Sequence, residues 1–370
     1  MRFSHISHNS YKCQESCPAT LKALLLLVFS CLNNSCKQAP ESSVTRAFYY
    51  WKSVVTISEP EAALLDTLNT KKLYLRFFDI VKDRNLNQTR PAAKLESQNR
   101  FPAHFDDPRW EFVPVVFITN ECFVNSDSLA ATKLAENTAR LLKTMAPLVL
   151  PSKAVSHEIQ IDCDWTAGTK DNYFHFLRAF RKAYSDDDFR LTATIRLYQC
   201  KFLNKTGVPP VDRGMLMCYN MGNLREPSVE VNSILDPDDL RQYTAFLPTY
   251  PLSLDIALPL FDWKVLLRDG NYQGLIEGLD DASLQSSLVS KQQRNNFEIV
   301  RDTIISGYDL RKGDILRNEQ SKTAEVIEAG KHLSRKIRNK DFTLSLYHLD
   351  RTIIRKYTKD ELEDIFSSMY

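Results

Sequence analysis

The 370-residue chain is long enough for one large domain or two ordinary ones, and its 43% hydrophobic and 25% charged residues exclude a disordered chain. Its 48 basic and 46 acidic side chains leave a net charge of +2. That balance, without a basic stripe interleaved with aromatic residues, gives no indication of nucleic-acid binding. Twenty Phe, fifteen Tyr and four Trp supply flat faces that can pack in a core or stack on a ligand.

The N-terminal segment has the features of an export signal. Lys22 precedes an apolar run over residues 23–30, which matches a signal peptide in length and is too short to span a bilayer as a helix. Cys31 follows directly, as in the cleavage site of a bacterial lipoprotein. We therefore expect residues 1–44 to be signal peptide and tether, and the protein to be held at the bacterial cell envelope by acyl chains on Cys31. Lipidation at Cys36 and a cleaved signal peptide without lipid are the alternatives.

From residue 45 onward, short β-rich runs alternate with helical stretches. Eight runs have strand character: Ala47–Val54, Lys72–Ile80, Phe112–Thr119, Glu158–Trp165, Leu191–Gln199, Gly214–Met221, Leu252–Leu260 and Phe342–Leu349. Ser58 and Glu61 have the spacing of a capping box, and apolar periodicity predicts further helices over 128–145, 171–184, 236–247 and 321–337.

Eight strands alternating with helices predict an α/β fold, a single-domain (β/α)₈ TIM barrel over residues 45–370. An open, doubly wound parallel sheet is the alternative, although the chain has no Gly-rich turn between a strand and a helix. The stretch Lys264–Asn318 is too long for an ordinary loop, and we expect it to form an excursion before the eighth strand.

Four cysteines lie outside the leader, each near the end of a predicted strand: Cys122, Cys163, Cys200 and Cys218. They lack the close pairs of a zinc site, and small buried side chains are the favoured interpretation. A disulfide between Cys163 and Cys200, or between Cys200 and Cys218, is the alternative. No metal and no cofactor are expected.

The alternation of strand residues selects the side chains that face the inside of a barrel. In the fourth run it places Asp162 and Asp164 on one face, and in the fifth run it turns Arg196 inward. Two inward carboxylates cannot both ionise cheaply, so one pKa should rise, and separated pKa values suit acid–base chemistry. A structural ion network, in which these carboxylates neutralise Arg76 and Arg196, is the alternative.

Two short motifs resemble those of chitinase-type glycoside hydrolases. Asp162-Cys163-Asp164-Trp165 is similar to that family's Asp-x-Asp-Trp-Glu signature on strand four, and Met217-Cys218-Tyr219-Asn220 is similar to its strand-six motif. The resemblance implies that Tyr219 and Asn220 hold an acetamido group, that Asp164 orients it and that Asp162 supports Asp164. The chain departs from the family at Thr166, which stands where the family has its proton-donating Glu.

The chain as a whole resembles a bacterial lipoprotein family with a TIM-barrel, glycoside-hydrolase-like fold. The segments that carry this likeness are Arg76-Phe77-Phe78-Asp79, Ile161–Thr166, Gly207–Gly214 and Ala257-Leu258-Pro259. The resemblance implies the barrel fold and export.

Position at the ends of the predicted strands adds further candidates for a ligand site. The predicted catalytic residues are Asp162, Asp164 and Tyr219, and the predicted substrate-binding residues are Trp51, Arg76, Asp79, Trp165, Arg196, Gln199, Asn220, Asp262, Trp263 and His348. Tryptophan faces combined with carboxylates and amides are typical of a sugar site. Asp79, Glu121 and Asp262 are the candidates for a proton donor in place of the missing Glu.

These observations favour a carbohydrate-active protein at the surface or in the periplasm, with a glycan as ligand and a lipid anchor in the membrane. A glycoside hydrolase that uses the strand-four aspartates is the first hypothesis. A barrel that binds a glycan without catalysis is the second, because Thr166 replaces the family's acid. A metal-dependent hydrolase using Asp162, Asp164 and His348 is the third, and no His cluster supports it.

Overall fold

The structure is a computed structural model that describes residues 43–86, 88–96, 101–151, 157–185, 188–226, 232–284, 287–291 and 296–369. Residues 1–42 of the predicted leader, with Cys31 and Cys36, lie outside the described residues. None of the described helices combines the length and the apolar character that a bilayer crossing requires.

The strands and helices follow one another largely as the sequence predicts. The strands are β1 (Val44–Tyr50), β2 (Lys72–Asp83), β3 (Gln88–Ala92), β4 (Glu111–Ile118), β5 (Glu158–Asp162), β6 (Arg190–Arg196), β7 (Arg213–Met217), β8 (Leu254–Pro259), β9 (Asp262–Arg268), β10 (Asn271–Glu277), β11 (Val289–Lys291), β12 (Phe297–Ile299), β13 (Thr303–Ile305), β14 (Tyr308–Leu310), β15 (Ile315–Gln320) and β16 (Phe342–Tyr347). The α-helices are α1 (Glu59–Thr67), α2 (Ser128–Val149), α3 (Lys170–Tyr184), α4 (Leu197–Lys201), α5 (Leu203–Thr206), α6 (Pro237–Tyr243), α7 (Thr323–Lys336), α8 (Arg351–Ile354) and α9 (Lys359–Ser367).

Eight parallel strands close into a barrel in the order β1, β2, β4, β5, β6, β7, β8 and β16, and β16 pairs again with β1. The predicted TIM barrel is therefore confirmed, and each predicted run overlaps one barrel strand. β3 pairs antiparallel with the extended end of β2. Helices cover the outside of the barrel, so strands such as β4 are buried on both faces and read as continuous apolar runs.

The local signals that start the helices operate as expected. The Ser58 backbone N–H and hydroxyl donate to Glu61 Oε2 at 2.7 and 2.6 Å, which is the predicted capping box before α1. Asp236 Oδ1 accepts from the Asp238 N–H at 2.8 Å and starts α6. That helix ends at Tyr243, earlier than predicted, and a short 3₁₀ turn that contains Pro248 follows at Leu247–Thr249.

The predicted excursion before the last strand is a small antiparallel sheet, called here the insertion sheet. Its five strands run in the order β10, β9, β15, β12 and β11, and β13 with β14 forms a separate hairpin. Trp263, Val265 and Leu267 pack into the barrel core from one face. The other face carries its own apolar cluster, which includes Leu266, Ile276 and Leu316.

The interior of the barrel near the N-terminal ends of its strands is filled by paired charges. Lys72 Nζ lies 2.7 Å from Glu158 Oε2, and Arg213 donates to both Asp255 oxygens at 2.9 and 3.2 Å. The four non-leader cysteines are buried and free, so no disulfide joins them.

Candidate functional site

A cleft of about 440 Å³ opens at the C-terminal ends of the barrel strands. Seven of the residues predicted for a site line it: Trp51, Arg76, Asp162, Asp164, Arg196, Tyr219 and Asn220. They come from β1, β2, β5, β6 and β7 or from the residues that directly follow these strands. The C-terminal face is where TIM barrels carry their ligand sites, because loops from every strand converge there.

Asp162 lies at the base of the cleft, at the last position of β5. Its side chain is buried, and Oδ1 accepts a hydrogen bond of 2.7 Å from the Thr194 hydroxyl on β6. Burial, followed by the nearby charge of Asp164, raises the pKa of Asp162 to about 7. Near neutral pH this carboxyl is therefore protonated in a substantial fraction of molecules.

Asp164 lies two residues further along and forms an ion pair with Arg196 at the end of β6. Their side chains are 41% and 56% exposed, so the pair lies at the cleft surface. Partial burial raises the pKa of Asp164, and the Arg196 guanidinium opposes that shift. The Arg196 backbone N–H donates to Gln199 Oε1 at 2.7 Å, which fixes the turn from β6 into α4.

Arg76 faces the cleft from β2 and is held by two neighbours. Its Nε donates to Asp79 Oδ1 at 2.8 Å, and a second guanidinium nitrogen binds the other oxygen of Asp79. The guanidinium carbon lies 5.5 Å from the centre of the Trp51 ring, within cation–π range. Asp79 is thus the buried counterion of Arg76 and does not line the cleft.

Aromatic rings form one side of the cleft around Tyr347, at the end of β16. Its ring stacks on that of Tyr219, with centroids 5.2 Å apart and an interplanar angle of 27°. Trp51 lies 5.7 Å away and Phe261 5.8 Å away, both tilted or edge-on. Burial raises the pKa of both tyrosines well above the usual range, so both phenols stay neutral. A wall of neutral rings beside carboxyl groups can stack on a sugar and bind its hydroxyls.

Thr166, which the strand-four resemblance aligns with a proton-donating Glu, is exposed and does not line the cleft. Its backbone N–H donates to the Thr169 hydroxyl at 2.9 Å, and that hydroxyl donates to Asn120 Oδ1 at 2.6 Å. These bonds hold the turn that precedes α3, and the residue at this position is not an acid.

Three other predicted site residues, Trp165, Gln199 and His348, do not line the cleft, and Gln199 lies in α4 instead of ending a strand as predicted. Trp165 stacks on Tyr173 and donates from Nε1 to the Thr206 carbonyl, and Gln199 donates to the Trp165 carbonyl at 3.0 Å. His348 follows Tyr347 and has the opposite parity; burial lowers its pKa to about 4, and Nδ1 has no hydrogen-bond partner among the described residues.

Two predicted residues after the seventh barrel strand belong to the insertion sheet instead. Asp262 accepts from Lys356 Nζ at 2.6 Å, and Trp263 donates from Nε1 to Glu319 at 2.7 Å. Glu121, the third proton-donor candidate, is exposed on a 3₁₀ turn after β4. Among the described residues, Asp162 and Asp164 are the carboxylates that line the cleft.

Seven residues outside the predicted catalytic and substrate-binding sets also line the cleft: Phe117, Leu197, Tyr198, Met217, Met221, Tyr243 and Tyr347. The strand parity that selected Asp162 applies equally to Tyr347, because Thr343, Ser345 and Tyr347 alternate along β16. Tyr243 comes from α6, and nothing in the local pattern indicates its proximity. Within the described ranges, no group of three or more His, Cys, Asp or Glu side chains is placed to hold a metal ion.

The fold is similar to solved structures of a spore cortex-lytic enzyme and of chitinases. The cortex-lytic enzyme SleL of Bacillus megaterium gives a TM-score of 0.54 at 12% identity, covering 90% of this chain and 75% of SleL. The Group IV chitinase of Ostrinia furnacalis gives 0.50 at 8% identity, covering 88% of this chain and 98% of the chitinase. A class V chitinase of Pseudomonas fluorescens gives 0.50 at 10% identity, covering 88% and 99%.

No protein-family model matches the sequence, and no curated protein matches it. At such low identity, the structural likeness establishes the fold over most of the chain and leaves the chemistry to the residues of the cleft.

Proposed function

We propose that the protein binds a carbohydrate in this cleft and acts on it as a glycoside hydrolase, with Asp162 and Asp164 as the reacting carboxyl pair. One observation carries the proposal: a buried carboxyl with a pKa of about 7 lies beside an arginine-paired carboxylate, next to a wall of aromatic rings. Separated protonation of two carboxyl groups is what acid–base cleavage of a glycosidic bond needs.

The chemistry assigns one role to each aspartate. Protonated Asp162 donates its proton to the leaving oxygen as the glycosidic bond breaks. Asp164, with Arg196 beside it, orients the sugar and stabilises the positive charge that develops at the anomeric carbon. Water adds to that carbon, and its proton returns to Asp162, so the enzyme is regenerated.

A second candidate is a barrel that binds a glycan without cleaving it. The placement of Thr166 favours it, because the exposed hydroxyl at the family's proton-donor position cannot act as an acid near neutral pH. Binding requires only the aromatic wall and the polar groups around it.

The deciding experiment screens the purified protein against a glycan panel that includes N-acetylated oligosaccharides, by thermal stabilisation and by release of reducing ends. D162N and D164N are the test variants. D262N is the matched control, because Asp262 binds Lys356 outside the cleft. Product release by the wild type and D262N that is lost in D162N or D164N supports hydrolysis. Stabilisation without turnover in all four proteins supports the binding barrel, and no response to any glycan contradicts both.

We further propose that the protein is exported and anchored at the bacterial cell envelope through Cys31. The support is the apolar run over 23–30 followed directly by Cys31. Labelling with a palmitate analogue in a bacterial host tests this with C31A and the matched variant C36A. We expect C31A to abolish labelling and C36A to retain it. Labelling that C31A retains and C36A loses would assign the anchor to Cys36, and an unlabelled wild type would contradict lipidation.

A further inference from the structure

A buried carboxylate, that of Glu319 on β15, joins the insertion sheet to the segment behind the cleft wall. Its side chain is fully buried, and its oxygens accept from Trp263 Nε1 at 2.7 Å and from Arg317 Nε at 2.7 Å. The same carboxylate also accepts from the Ser233 backbone N–H at 3.1 Å and from the Ser233 hydroxyl. Four donors, one of them a buried guanidinium, hold Glu319 in a single position.

Ser233 in turn holds the segment that follows β7. Its carbonyl accepts from the backbone N–H of Met221 at 3.1 Å and of Gly222 at 3.2 Å, and the next carbonyl, that of Ile234, accepts from Asn220 at 2.8 Å. Asn220 and Met221 line the cleft. Two of these backbone bonds connect the segment held by Glu319 to Asn220 and Met221 of the cleft wall, and the third holds the adjacent Gly222.

The contact between these two segments leaves little freedom for movement. A Cβ atom on Gly222 would lie 2.7 Å from Ser233 Cα, so the backbones approach as closely as glycine allows. Asn220 has a φ of +54°, in the left-handed region, which requires its surroundings to hold it. A shift of Ser233 would therefore move Met221 directly and Asn220 through Met221 and Ile234.

Arg317 contacts another part of the loop after Asn220. Its side chain is 1% exposed, and it donates to the backbone carbonyl of Glu226 and, at 3.4 Å, to that of Leu224. Glu319 and Arg317 thus contact both described parts of this loop, Glu319 at Ser233 and Arg317 at Leu224 and Glu226.

We infer that Glu319 is a positioning residue for the cleft, and that the insertion sheet sets the place of Asn220 and Met221 through Glu319 and Ser233. The inference rests on the proposed function only for its affinity test, because its hydrogen-exchange test needs no ligand. It assigns the insertion sheet the role of a rigid support for one wall of the cleft, in addition to its packing on the barrel.

The test uses E319Q and S233A in the full protein. S233A is the milder change, because it removes one hydroxyl and keeps the Ser233 backbone N–H. D314N is the matched control: Asp314 is a buried carboxylate bound twice by Arg268, at 2.8 and 2.7 Å, and Arg268 lies at the opposite end of β9 from Trp263.

The first readout is backbone amide hydrogen exchange without ligand. We expect exchange at Asn220, Met221 and Gly222 to be at least about tenfold faster in E319Q and S233A, and unchanged there in D314N. Amides of β5 and β6 should exchange as in the wild type. Unchanged exchange at residues 220–222 in S233A, or equal acceleration in D314N, would overturn the inference; S233A decides if E319Q fails to fold.

The second readout is the affinity for an N-acetylglucosamine tetramer. We expect a five- to tenfold loss in S233A and none in D314N, at equal thermal stability. A wild type that does not bind the tetramer would count against the proposed sugar, and hydrogen exchange would still decide the role of Glu319.

Discussion

Both ends of the barrel interior contain ionisable side chains, but the partners of the buried carboxyl groups differ between the two ends. Near the N-terminal ends of the strands, Glu158 pairs with Lys72 and Asp255 pairs with Arg213, all with little exposure. At the C-terminal mouth, Asp162 is equally buried, yet its hydrogen bond comes from the neutral hydroxyl of Thr194. The carboxylates of the first group have cations in direct contact, whereas burial keeps Asp162 protonated up to about neutral pH.

This difference separates charges that hold the barrel together from charges that are available to a ligand. A buried pair with good geometry is costly to break and offers nothing to a substrate. A carboxyl that is buried, lines an open cleft and titrates near 7 has a proton to give. The contrast agrees with the general division of TIM barrels into a stabilising N-terminal face and a functional C-terminal face.

The largest effect should come from breaking the N-terminal pairs. D255A removes the acceptor of two Arg213 hydrogen bonds and of the Thr343 N–H at 2.7 Å, and it leaves a guanidinium without its buried partner. We expect the free energy of unfolding to fall by about 3–5 kcal/mol, measured by urea denaturation.

The control for this change is D341A, which removes the exposed partner of the same arginine at 3.4 Å. It should cost less than about 1 kcal/mol, because exposed pairs contribute little. Equal losses in D255A and D341A would contradict the stabilising role of the buried pair.

The next largest effect is the change of stability with pH that Asp162 should cause, and its direction follows from the pKa. The unfolded carboxyl loses its proton near pH 4, while the folded one keeps it to about pH 7. The folded state therefore binds the proton more tightly, and stability should decrease as the pH rises from about 4 to about 7. Each pKa unit corresponds to about 1.4 kcal/mol, so this decrease should amount to roughly 2–4 kcal/mol.

D162N tests that prediction, because Asn keeps an acceptor oxygen for Thr194 and resembles the neutral acid. Relative to the wild type, the variant should become more stable between pH 5 and pH 8, as measured by denaturation at both values. Parallel stability curves for the two proteins would show that Asp162 does not titrate in this range.

The barrel could be predicted from the sequence because its signals are local. Each strand is a short apolar run, and the helices begin at recognisable caps such as Ser58 with Glu61. Parity along two adjacent strands also identified Asp162, Asp164 and Arg196 as neighbours. A side chain at a known strand position in a barrel has only two directions to face, so local pattern is sufficient there.

The rest of the cleft depends on contacts that no local pattern encodes. Tyr243 enters from α6, and Glu319 meets Ser233 across 86 residues of sequence. Trp165 and His348 were selected for their positions near the ends of predicted strands, yet neither lines the cleft, and Trp165 packs on Tyr173 of α3 instead. Position at a strand end is therefore a poor guide to a site unless the direction of the side chain is considered with it.

The smallest effect on stability should come from the Asp164–Arg196 pair. This pair tests most directly whether the charges at the C-terminal mouth contribute less to stability than the buried pairs at the other end. Both side chains are about half exposed, so D164N should change the free energy of unfolding by less than about 1 kcal/mol. A double-mutant cycle with R196Q should give a coupling energy in the same range.

The same D164N variant should lose turnover of any glycan that the wild type cleaves, because Asp164 would act on the sugar and contribute little to the barrel. A loss of several kcal/mol in D164N would place Asp164 with Asp255, among the residues that stabilise the fold, and would remove the contrast between the two ends.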